Sequence, residues 1–120
     1  MMKKLTIPKV YKIFLHYLKN LGYKENTING HREKIKPFFT CMTAIEGISD
    51  MRDVNEEVLH KFLTWLNERV SERTGKLLAA RTKKGIFTTI KLLFRCLYQQ
   101  ELILVNPVQN IVYRPGGGQK

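Results

Sequence analysis

The stretch Arg81 to Gln100, "RTKKGIFTTIKLLFRCLYQQ", contains no Asp or Glu, while five of its twenty residues are Lys or Arg. Set on a helix at about 100° per residue, Ile86, Ile90, Leu93 and Leu97 fall within about 60° of one another. Arg81, Lys84, Thr88, Lys91 and Arg95 are spaced alternately three and four apart and form a stripe roughly 160° away. The spacing predicts a helix with one apolar face for a core and one basic face for a partner. An ordinary solvated face interleaves both signs, because Glu–Lys pairs at i,i+4 add about 0.2–0.5 kcal/mol each. A stripe without acids forgoes that gain and accumulates like-charge repulsion, as expected where the partner brings the anions.

The rest of the composition agrees. A chain of 120 residues with 43% apolar residues can bury one core and form one domain. Lys+Arg number 21 against 10 Asp+Glu, a formal charge of +11, which favours a polyanionic partner. Seven of the ten acids (Glu46, Asp50, Asp53, Glu56, Glu57, Glu68, Glu72) lie between 46 and 72, so the flanking stretches are more basic than the average. No apolar run approaches the roughly 18 residues of a membrane span. The opening "MMKKLTIPKVYKIF" lacks the apolar region of a signal peptide, so a cytoplasmic location is expected. Cys41 and Cys96 read as small buried hydrophobes rather than a disulfide. His16, His31 and His60 stand without metal-ligand spacing, so neither metal nor cofactor is expected.

Four main helices follow from the pattern, giving an all-α, compact bundle. Thr6 can cap the first, with Pro8 in its first turn, and Gly22 ends it after Val10, Ile13, Phe14, Tyr17, Leu18 and Leu21 at helical spacing. A second runs from Glu25 or Asn26 to about Met42, with Ile28, Ile35, Phe38, Phe39 and Met42 facing the core and a kink expected at Pro37. Its exposed side carries Thr27, Gly30 and Lys34. His31, alone on a mostly apolar face, reads first as a hydrogen-bonded core residue. Thr43 to Val54 reads as a loop. Asn55 caps the third helix, whose buried stripe is Val58, Leu59, Phe62, Leu63, Leu66 and Val70, with Trp65 at the core's edge. Its outer positions Lys61, Glu68, Arg69, Glu72 and Arg73 alternate in sign, as a solvated face does. Thr74-Gly75-Lys76 breaks that helix, and the fourth begins around Leu78 to Arg81 and ends before Asn106-Pro107. Gly85 within it reads either as close helix packing or as room for a phosphate or sugar. Val108 to Tyr113 is compatible with a short helical turn.

Three stretches, "FLHYLKNLGYKENTINGHREKIKPFF", "DVNEEVLHKFLTWL" and "RTKKGIFTTIKLLFRCLYQQELILVNPVQNI", in this order resemble the opening helices of tyrosine recombinases, the phage-integrase and Xer-type enzymes. The resemblance covers about residues 8 to 114. It implies a SAM-like core-binding domain over 1–114, one half of a C-shaped clamp on double-stranded DNA, with 115–120 a linker or tail towards a catalytic domain that is not in this chain. Matching the family's groove-facing positions points to Thr27, His31 and Lys34 on the second helix and to Arg81, Thr82, Lys84, Thr88 and Lys91 on the fourth. Arg95 joins them from the basic stripe. Two positions depart from the family: His31 stands where an aromatic is usual, and Ala79-Ala80 where a Ser cap is. None of the five tyrosines lies in an Arg/His setting that could activate it, and Tyr17 and Tyr98 are explained by helical packing, so this chain alone is not expected to be an enzyme. The resemblance implies a parent recombinase that assembles as a tetramer on DNA, while the isolated chain is expected to be a monomer. Two other readings of the basic face are a helical protein-interaction module for an acidic partner and a peripheral membrane binder. The second lacks an exposed apolar face beside the basic one.

Overall fold

A computed structural model describes residues 4–71 and 74–114. Thr6 opens the first helix: its hydroxyl accepts from the Lys9 N–H at 3.4 Å, Pro8 occupies the first turn, and α1 runs Ile7–Asn20. Gly22 follows at φ 88°, a left-handed conformation that costs a residue without a Cβ little, and the chain reverses into α2, Glu25–Ala44. This helix continues through Pro37 and ends two residues beyond the expected Met42.

The following segment is pinned rather than loose. A 3-10 turn spans Met51–Asp53, and the Met51 N–H donates to the Leu5 carbonyl at 2.8 Å, tying this segment to the chain ahead of α1. Arg52 donates to the Asp50 carboxylate at 2.7 Å and holds its carboxyl down at about 2.

Asn55 caps α3, Glu56–Asn67, by accepting from the Val58 N–H at 2.9 Å, with Glu56 and Glu57 in the first turn. The expectation that Val70 belongs to the buried stripe is wrong. The helix stops at Asn67, and Val70 is 50% exposed, pairing with Leu77 in an isolated antiparallel bridge. Gly75 at φ 70° makes the turn between them, so the break falls well before Thr74. Glu72 and Arg73, assigned to the mixed-sign face, lie outside the described residues.

The fourth helix, α4, spans Ala80–Gln99 behind Ala79, which supplies no side-chain cap. It ends earlier than the Asn106-Pro107 signal suggests. Glu101 adopts φ 60°, and the Leu102 N–H reaches back to the Leu97 carbonyl at 2.9 Å, closing the helix end. Pro107 to Asn110 then form a turn, opened by the Asn106 side chain accepting from the Val108 N–H at 3.1 Å, and the chain leaves it without helix.

The core takes one fully buried phenylalanine from each helix: Phe14, Phe38, Phe62 and Phe94. Phe38 meets Phe62 and Phe94 edge-on, at centroid distances of 5.2 and 5.9 Å. Ile86, Ile90, Leu93 and Leu97 are all buried, as the periodicity predicts. Cys41 and Cys96 are buried free thiols, each pushed up to about 11 by burial. Tyr17 is half-buried with its hydroxyl donating to Gln99, but Tyr98, expected to pack, is 49% exposed. Among the described residues there are four α-helices and no sheet.

Close helix packing does not require Gly85. The nearest atoms a Cβ there would meet belong to the flexible Lys34 side chain, at 3.5 Å and beyond, which is ordinary contact. Gly85→Ala is therefore expected to raise stability by about 0.5–1 kcal/mol through helix propensity and unfolded-state entropy. A urea midpoint at or below that of the parent chain would show that the glycine serves another purpose.

Candidate nucleic-acid interface

Helices α2 and α4 pack against each other and hold all nine residues singled out from the sequence. Thr27, Lys34, Arg81, Thr82, Lys84, Thr88, Lys91 and Arg95 are exposed, and His31 is half-buried. Lys34 lies across α4 at Gly85, so the charge of α2 joins the basic stripe of α4 instead of facing away from it.

Beside the stripe runs an open groove of about 610 Å³. His31, Thr88, Lys91 and Arg95 line one side, and Asn106, Val108, Gln109 and Ile111 contribute the other. Thr27, Lys34, Arg81, Thr82 and Lys84 do not line it; Arg81, Thr82 and Lys84 sit further towards the start of α4. Among the described residues, no carboxylate lines the groove. Lys91 is steered by an aromatic ring, its Nζ standing 5.7 Å from the centroid of Phe87.

The stripe itself carries no ion pair among the described residues. Among the described residues the salt bridges are Lys36–Glu33, Arg52–Asp50 and Lys61–Glu57, and none uses a stripe residue. Arg32 is turned towards α1, donating to the Tyr11 hydroxyl at 2.9 Å. The start of α4 adds to the effect, because its first turn carries no acid and its N–H groups receive no side-chain cap. Cations at that positive end of the helix dipole are unfavourable until an anion arrives.

Three groove residues with polar groups, besides the apolar Leu92, Val108 and Ile111, escaped the sequence reading. Tyr23 stacks on His31 with centroids 6.0 Å apart and planes 28° from parallel, yet in sequence it is part of a glycine turn. Asn106 and Gln109 come from the segment after α4, whose return to the α2–α4 seam leaves no periodic signature. Lys83 shows the opposite error. Counted among the basic residues of the stretch, it is fully buried, and its Nζ has no hydrogen-bond partner.

The chain is matched over residues 12–101 by the family model described as phage integrase, N-terminal SAM-like domain. The chain belongs to that family, the N-terminal domain of the tyrosine recombinases. No curated protein and no solved structure matches it.

Proposed function

We propose that this chain is the DNA-holding domain of a tyrosine-type site-specific recombinase, gripping duplex DNA along the α2–α4 seam while another domain of the parent protein carries the chemistry. The observation that supports it most is the acid-free basic stripe of α4, exposed along its length, joined by Lys34 and bordered by a groove without a carboxylate. Phosphate contacts from Arg81, Lys84, Lys91, Arg95 and Lys34 set position. Thr27, Thr82, Thr88 and His31 are the groups suited to base edges or to further phosphates. An acidic protein partner is the competing reading, and salt dependence separates the two. Four to six neutralised phosphates give a slope of log K against log salt of about −4 to −5 on duplex DNA. No measurable duplex binding at low salt, or a slope near zero, would sink the assignment.

A further inference from the structure

His31 Nδ1 lies 2.9 Å from the hydroxyl of Thr89, which is wholly buried. The same hydroxyl lies 3.2 Å from the carbonyl of Gly85, one turn back along α4. A hydroxyl has one hydrogen, and a carbonyl can only accept. Both contacts are made together only when Thr89 donates to Gly85 and the His31 Nδ1–H donates to Thr89. The inward edge of the imidazole is thereby committed, and Nε2 stays outside both bonds on a ring that lines the groove. Tyr23 stacked on one side and the Phe14 ring, tilted 66° to the imidazole with centroids 6.4 Å apart, hold the ring plane. Neutral, this imidazole offers a lone pair at Nε2. Protonated, it keeps both inner bonds and offers an N–H instead, with no movement of the ring.

Among the described residues, the charged groups that act on it or line its groove are cationic: Lys34 on its own helix, and Lys91 and Arg95 on α4. The turn before α2 brings the Tyr23 phenol, α1 brings Phe14, and the segment after α4 brings the uncharged Asn106 and Gln109. Burial first, and Lys34 second, push the imidazole below its ordinary value. The free domain therefore disfavours the imidazolium, and nothing in the groove compensates it until an anion enters.

Resting on the DNA reading above, we propose that His31 is a proton-linked phosphate contact, neutral in the free domain and taking up a proton as a DNA phosphate enters the groove it shares with Lys91 and Arg95. Binding raises the affinity of His31 for its proton. DNA affinity therefore climbs as pH falls through the bound-state value and levels off below the free-state one. Each unit of that difference is a tenfold change in affinity.

The test is binding of a mixed-sequence 20-base-pair duplex at constant salt from pH 8 to 5.5, with calorimetry in buffers of different ionisation enthalpy to count protons. The expected result is a gain of about tenfold on acidification, with net proton uptake that His31→Gln abolishes. Should His31→Gln fail to fold, the variant His16→Gln/His60→Gln leaves His31 as the only imidazole of the three in the chain, and uptake must survive in it. Duplex binding without proton uptake, or uptake unchanged by His31→Gln, overturns the proton link and spares the DNA reading. Absence of duplex binding overturns both.

Discussion

Replacing Lys84 and Lys91 together with Gln is expected to weaken duplex binding by on the order of fifty-fold at 0.1 M salt and to flatten the salt slope by about two units. Each lysine is exposed and belongs to no salt bridge, so each has its full charge available for a phosphate. The fold should survive. Exposed substitutions generally stay within about 0.5 kcal/mol, and loss of the Lys91–Phe87 contact adds at most about 1 kcal/mol. Lys61→Gln with Arg69→Gln is the control, because it removes the same formal charge from the α3 side. Lys61 stands 3.9 Å from Glu57, and Arg69 lies 4.8 Å over the Trp65 ring. The control thus loses more native contacts than the test pair does. A drop in affinity caused by destabilisation would appear in the control first. Equal losses from both pairs would mean that only bulk charge matters, and the assignment of α4 to the DNA would fall.

Lys83→Met is expected to stabilise the domain by about 1–3 kcal/mol, the cost of burying a polar group without a hydrogen bond. The lysine is fully buried in the first turn of α4, and its Nζ has no partner. Methionine is unbranched and of similar length, so it can follow the same path with no polar end to desolvate. The shift would be read as a higher urea midpoint at unchanged slope. Duplex affinity should change far less than in Lys84→Gln, since Lys83 is not on the exposed stripe. A loss of stability would show that the ammonium finds a partner in solution. A loss of DNA affinity matching that of Lys84→Gln would show that the side chain swings out to the phosphates. The second result would move Lys83 from the core to the interface.

Lys83 also marks the limit of reading faces from periodicity. On the helical wheel it falls about 50° from the centre of the core arc, between Ile90 and Phe94. Its position was legible, and its residue type argued for the opposite face. The basic stripe escaped that ambiguity because position and residue type agreed at every member, and all of its members are exposed. Val70 failed for a different reason. Its place in the apolar spacing of α3 was correct, but the helix ended three residues earlier, and periodicity carries no information past a helix end.

The sequence by itself determined the four helices, the capping roles of Thr6 and Asn55, the turn at Gly22, most of the apolar faces and the basic stripe. These depend on residues within a turn or two of one another, where helical spacing and capping chemistry act directly. The tertiary structure alone decided that Lys34 lies over Gly85 and that Tyr23 stacks on His31. It also decided that Thr89 orients the imidazole and that Asn106 and Gln109 return to wall the groove. His31 and Thr89 are 58 residues apart. No local rule joins them, and their hydrogen bond exists because the burial of Phe38 and Phe94 presses α2 against α4 in one register.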